Sequence, residues 1–251
     1  MGRKRKPKNR RGWIWSLLTF FLVVGAILAS VTVFLKVSEV EVSGAEHYKP
    51  EQLIETSGIH VGDNLFLFNK FEVIRKLKAE YPYLEDVEIR RRLPDAFVIT
   101  VTERQPMAYL DAGESRWLVD KHGYLLEALP SGTAVPYAQI ISDQEVHEPV
   151  SGTRIQWEKS EELDALEQIL TALADQGITK GIGKVDVTRL YQLSFTYEKR
   201  ILVQLGTRED ITHKISLFCK VLEKLAPGDR GALNVSDGRQ ARFQPSSKLE
   251  I

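Results

Sequence analysis

The chain has 251 residues, with 34 Lys and Arg balanced by 34 Asp and Glu, and 43% of it is hydrophobic. Seven of the basic residues (Arg3, Lys4, Arg5, Lys6, Lys8, Arg10 and Arg11) crowd the first eleven positions, which leaves 27 basic against 34 acidic beyond them. That remainder excludes a domain with the basic footprint of a nucleic-acid binder. The single cysteine, Cys219, excludes an intramolecular disulfide, so the folded part must rest on a buried core.

From Ile14 to Leu35 there is no Asp, Glu, Lys or Arg. About 20 apolar residues at 1.5 Å rise span a hydrocarbon layer of about 30 Å. Trp13 and Trp15 suit the headgroup level, and the basic cluster ahead of them predicts a cytoplasmic N-terminus with the bulk of the chain outside the cell. A cleaved signal peptide is the rival reading. It would end in a small-x-small site, whereas the best candidate, Ile27-Leu28-Ala29, places bulky Ile27 at the −3 position. A retained transmembrane helix over 14–35 is the expectation.

Beyond it, Val37, Val40 and Val42 predict a strand closed by Ser43-Gly44, and Pro50 opens a short helix to Ser57 with Gly58 as its stop. A second helix is expected over 70–80, with Asn69 and Glu72 arranged like a capping box, an apolar stripe of Phe71, Ile74 and Leu77, and Pro82 at its end. Alternation then predicts strands over 84–91 and 96–103 about a Leu93-Pro94-Asp95 turn. After Gln105-Pro106 the pattern changes to short strands near 107–110, 116–119 and 124–127. A loop-rich stretch follows to about 156, with one strand near 139–141. Ser160 is expected to cap a helix over 161–175 whose stripe is Leu163, Leu166, Ile169, Leu170 and Leu173. Strands near 184–187, 192–197 and 200–205, a helix over 208–225, and strands at 232–235 and 241–243 complete the pattern.

The fold class is therefore α+β. A basic cytoplasmic tail (1–13) leads into one N-terminal transmembrane helix (14–35). A β-α-α-β-β domain (36–104), a larger mixed β-rich domain with two helices (105–245) and a short C-terminal tail (246–251) follow.

Several of these segments together carry a resemblance. They are Val37 to Gly44, Gly62-Asp-Asn-Leu-Phe66, Tyr81-Pro82, the run from Val87 through Arg90-Arg91-Arg92-Leu93-Pro94 to Pro106, and Trp117 to Gly123. The chain resembles the FtsQ/DivIB family of cell-division proteins, more the DivIB side, with residues 36–104 as its POTRA domain. The resemblance implies a non-catalytic assembly protein of the divisome, enriched at the septum in the cell membrane. Its implied partners are FtsB- or DivIC-type and FtsL-type coiled-coil proteins, with a septal transpeptidase as a further one. It also implies that the closing edge of the second domain receives a partner, which points to Leu233, Val235, Ala241, Arg242 and Phe243. The chain departs from the family there, since Leu233-Asn-Val-Ser-Asp-Gly-Arg-Gln240 stands where many relatives carry Asp-Leu-Arg-Tyr.

The residues themselves offer little catalytic chemistry. The five histidines are scattered, and no C-x-x-C, H-E-x-x-H or glycine-rich phosphate loop occurs, so no cofactor, metal ligand or catalytic residue is expected. Asp120-Lys121-His122 reads as a turn before Gly123, and Cys219 as a small hydrophobe on a helix stripe. Arg90, Arg91 and Arg92 read either as a solvated strand end or as a docking face. Two other functions remain open at this level: a membrane-tethered enzyme of the cell wall, and a POTRA-type transport or chaperone subunit.

Overall fold

The computed structural model describes residues 10–246 and, among them, the side chains of 13–26 and 35–246. Most of the expected tails, 1–13 and 246–251, lies outside the described residues. The first element, α1 (Arg10–Phe34), is an unbroken helix of 25 residues. From Trp13 to Val23 its large apolar side chains are exposed, and Thr19 turns its hydroxyl back onto the Trp15 carbonyl at 2.8 Å. Among the described residues no helix is long and apolar enough to cross a membrane. The expected span over 14–35 runs through residues 27–34, whose side chains lie outside the described ones.

Two compact units follow from the packing. One takes the residues up to Leu77 together with Asp86–Thr102, the other Lys78–Glu85 together with the chain from Glu103 onward. β1 (Glu39–Ser43), α2 (Pro50–Ser57), α3 (Lys70–Glu80), β2 (Leu84–Arg92) and β3 (Ala96–Glu103) follow the expected β-α-α-β-β order, all within the first unit except 78–80, 84–85 and Glu103. The sheet runs β1-β3-β2, with β1 parallel to β3. Gly44 has φ +84°, and a Cβ there would stand 2.2 Å from the Val101 carbonyl oxygen, so only glycine lets the chain leave β1 this close to β3. Pro50 starts α2, and Gly58 at φ 69° ends it.

The phase of α3 differs from expectation. Val73 and Leu77 are buried, Ile74 is half-buried and Phe71 is exposed. At 100° per residue Phe71 lies about 140° from the centre of the Val73–Leu77 face, so one helix cannot bury both.

The second unit is built on a nine-stranded mixed sheet. Its strands are β4 (Pro106–Ala112), β5 (Ser115–Asp120), β6 (Leu125–Pro130), β7 (Ala138–Ile141), β8 (Ile182–Asp186), β9 (Leu193–Tyr197), β10 (Ile201–Gly206), β11 (Gly231–Asn234) and β12 (Arg242–Pro245). Their spatial order is β12-β11-β10-β9-β8-β7-β4-β5-β6. Two helices, α4 (Ser160–Asp175) and α5 (Ile211–Leu222), bury their apolar faces in the same core as the strands. All five leucine and isoleucine residues of the expected α4 stripe are buried. Ser160 is the first residue of that helix rather than its cap, and Lys159 at the N-cap offers no side-chain acceptor to the open amides. The β9–β10 turn places Glu198 and Lys199 at φ 48° and 51°, and Arg200 N–H closes it by donating to the Tyr197 carbonyl at 3.0 Å, with Tyr197 paired to Ile201 beyond.

Candidate functional site: the two edges of the large sheet

An open sheet has two edges, and their unpaired amides and carbonyls are where another strand could add. In this sheet the edges are β12 and β6.

β12 is brought to the edge by a preset turn. The Asp237 side chain accepts from the backbone N–H groups of Arg239 (2.7 Å) and Gln240 (3.0 Å). Those bonds, the one to Gln240 first, hold its carboxyl below the usual aspartate range. The chain then returns antiparallel to β11, with Leu233 opposite Phe243 and Gly231 opposite Pro245. Gly231 is needed for this approach. A Cβ at that position would sit 2.2 Å from the Gln244 carbonyl oxygen and 2.9 Å from Pro245 Cα.

The direction of the open backbone follows from the ladder. Ser246 N–H donates to the Arg230 carbonyl at 2.9 Å, and antiparallel pairing alternates, so Arg242 and Gln244 turn their backbone groups toward β11. Phe243 and Pro245 therefore turn theirs outward, where no described strand pairs with them. Pro245 lacks an N–H, and this outward position is where a strand tolerates that loss.

Of the five residues expected at a partner-binding edge, Leu233 and Val235 are fully buried in the core of the unit. Their side chains pack into that core and position β11. Ala241 and Phe243 are partly buried and pack against that core, and Arg242 is exposed. The exposed Gln244 and the outward carbonyl of Pro245 also belong to this edge. Sequence reading missed both because it ended the strand at 243.

The β6 edge is closed along its first turn by the segment after Pro149. Leu125 N–H donates to the Thr153 carbonyl (2.9 Å), and Gly152 N–H donates to the Leu125 carbonyl (2.7 Å). The Ser151 hydroxyl donates to the Leu126 carbonyl, and Tyr124 pairs with Arg154 as an isolated bridge. At its other end the strand stops in Pro130.

The Asp120-Lys121-His122 segment is the turn expected between β5 and β6, and its polar atoms are committed. Asp120 is buried. One of its oxygens accepts from the His122 and Tyr124 amides at 2.9 and 2.8 Å, and the other accepts from Arg104 at 2.6 Å. The Arg104 guanidinium also lies 3.7 Å from the centre of the Tyr124 ring. Beside this pair a cleft of about 360 Å³ is lined by Glu85, Arg104, His122, Tyr124, Arg154 and Glu167. Glu167 divides its carboxylate between His122 Nδ1, at 2.9 Å, and Arg154. Among the described residues no group of three or more His, Cys, Asp or Glu side chains could hold a metal ion.

The arginines of β2 are likewise engaged. Arg92 reaches Glu39 (3.0 Å) and Glu41, Arg90 binds Glu88 (2.7 Å), and Arg91 donates to the Leu65 carbonyl (2.6 Å). Cys219 on α5 is half-buried against the core, and burial pushes its thiol up from the ordinary value.

Residues 35–104 match the POTRA domain of the FtsQ type. The cell division protein DivIB of Clostridium acetobutylicum is 28% identical over 189 residues, which cover 75% of this chain and 74% of that protein. DivIB of Clostridium botulinum is 24% identical over 238 residues, or 92% and 91% of the two chains. The cell division protein FtsQ of Koribacter versatilis is 28% identical over 221 residues, covering 81% of this chain and 61% of its own. An FtsQ-type POTRA domain thus matches residues 35–104, and similarity to DivIB and FtsQ cell-division proteins continues through the nine-stranded unit.

Proposed function

We propose that the protein acts in bacterial cell division without catalysing a reaction, as a membrane-held assembly factor that recruits a partner strand to β12. In this reading α1 crosses the cell membrane with its N-terminus in the cytoplasm, and the POTRA and β-rich domains lie outside, concentrated at the septum. The apolar side chains exposed from Trp13 to Val23 support the anchor, because a helix apolar on every side is at home in lipid. The partners are the FtsB- or DivIC-type and FtsL-type coiled-coil proteins, with a septal transpeptidase as a further contact. Anchoring all of them in one bilayer raises their effective concentration, so a modest edge contact suffices.

The observation that carries the proposal is the open edge of β12. An incoming segment would gain backbone hydrogen bonds at Phe243 and Pro245 and read Arg242 and Gln244 by their exposed side chains. Depletion in growing cells tests the role. Cells lacking the protein elongate as filaments, while normal septation under every growth condition would overturn it.

A wall-modifying enzyme is the second reading, favoured only by the cleft around His122 and Glu167. There Glu167 is shared between His122 and Arg154, Glu85 lies 3.5 Å from His122 Nε2, and the adjacent Asp120 is bonded to Arg104, so each of these carboxylates already faces a histidine or an arginine of the chain itself. A His122→Ala chain that rescues depleted cells fully would favour the assembly role over this one.

A further inference from the structure

The chain does not leave α1 on a free tether. Leu65 N–H donates to the Leu35 carbonyl (3.1 Å), Val37 N–H donates to the Asp63 carbonyl (2.8 Å), and Gly62 N–H donates to the Val37 carbonyl (2.7 Å). Lys36 and Asn64 pair as an isolated antiparallel bridge. A second loop joins them, since Ser38 N–H donates to the Asp95 carbonyl (2.7 Å). Loops 60–68 and 93–95 are thus both bonded to the four residues that follow the helix.

The first loop is fixed from inside and apolar outside. Leu65 is fully buried, and the Phe68 ring packs on Phe97 at 4.8 Å. Asn64 Oδ1 accepts from the amides of Phe66 (2.8 Å) and Leu67 (3.2 Å), and the two side chains at this turn face out. Leu67 is 79% exposed, Val61 74% and Phe66 48%, and on the second loop Leu93 is 65% exposed. The Arg91 guanidinium lies 5.4 Å from the centre of the Phe66 ring. One exposed leucine needs no explanation. Four large apolar residues on two loops bonded to the same four-residue exit do.

Their chemistry suits one occupant. If α1 spans the bilayer, both loops stand where the hydrocarbon ends, and apolar tips beside Lys36, Lys70 and Arg91 match a boundary of acyl chain and anionic headgroup. We propose that loops 60–68 and 93–95 dock the POTRA domain onto the outer leaflet, with Val61, Phe66, Leu67 and Leu93 seated at the headgroup–acyl boundary. Docking fixes the height and orientation at which the domain leaves the membrane. The proposal rests on the reading of α1 as a membrane anchor.

The test uses the full chain with Cys219→Ala, reconstituted in vesicles of phosphatidylglycerol and phosphatidylcholine. A polarity-sensitive fluorophore is placed in turn at Leu67→Cys, at Val23→Cys in α1, and at Thr102→Cys. The last is an exposed site six residues along β3 from Ala96, about 20 Å at the usual rise per residue. Lipids carrying a spin label near the headgroup end of the acyl chain serve as quencher. The expected result is emission from Leu67 that is blue-shifted and quenched several-fold more than from Thr102, with Val23 also protected from water. In a Phe66→Ser, Leu67→Ser chain, a probe at Val61→Cys should lose that quenching while the Val23 probe keeps its signal. A water-exposed Leu67 with a lipid-embedded Val23 overturns the docking and leaves the anchor standing. A surface meant for a protein partner would give that same pattern in pure lipid. Water exposure at both sites overturns the anchor and the docking together.

Discussion

The two edges of the nine-stranded sheet are made from similar strands and finished differently. β6 has the segment 150–155 bonded along its first residues, so its start is occupied by the chain's own backbone. β12 has β11 on one side and, among the described residues, no strand on the other. Natural sheets usually blunt a free edge with charge, proline or a covering loop. Here β12 carries Arg242 and Pro245 but, among the described residues, no cover, which keeps unwanted pairing in check while leaving the outward groups of Phe243 open. The contrast teaches that an edge left uncovered beside one that is covered is a candidate for use.

The largest effect is expected from separating the buried face of β11 from the edge beside it. Leu233→Ala should cost about 2–5 kcal/mol in denaturant unfolding, because a fully buried leucine leaves a cavity. Arg242→Ala should stay within about 0.5 kcal/mol yet weaken partner binding in a pull-down at equal folded concentration. If the two variants behaved alike, the division of this region into core and edge would fail.

Next comes the close approach of β12. Gly231→Ala forces a Cβ into the Gln244 carbonyl and should cost about 1–3 kcal/mol, with the β12 amides exchanging faster than those of β9. On the opposite edge, Ser151→Ala removes one hydrogen bond and should cost about 1 kcal/mol, loosening β6 while leaving partner binding intact.

The smallest effect is a pH dependence. Asp237 has its carboxyl held below the ordinary value of about 3.9 by the amides of Gln240 and Arg239, so its contribution is complete above that value. It is lost as pH falls below about 3.9 through the lowered folded value. Amide exchange at Arg239 and Gln240, corrected for intrinsic rate, should therefore keep its protection down to about pH 3.9 and lose it only below that value in the wild-type chain. An Asp237→Asn chain should show no such step, and the β6 turn serves as the internal reference.

Much of this arrangement is legible in residues whose signal is local. Pro50 and Gly58 bound α2 by backbone chemistry alone, and the α4 stripe at Leu163, Leu166, Ile169, Leu170 and Leu173 states its own buried face. The hairpin at Glu198-Lys199 needs only two adjacent strands and a short turn. What sequence reading missed depends on partners far along the chain. The α3 face was misjudged because Phe71 is as apolar as Val73, and only the packing of the unit decides between them. The insertion of β7 between β4 and β8 joins parallel strands across long connections that leave no periodicity. At the candidate edge, Leu233 and Phe243 look equivalent as letters. Their difference, one fully buried and one on the outermost strand, follows from a sheet order that no short window contains.

The most direct test is a photocrosslinking scan of both edges in dividing cells, with the probe placed singly at Arg242, Gln244, Glu127 and Ala128 in a chain that supports growth. The account predicts adducts to a small membrane-anchored division protein at Arg242 and Gln244 and none at Glu127 or Ala128. Adducts confined to the β6 positions, or none at either edge while the protein still supports septation, would contradict it.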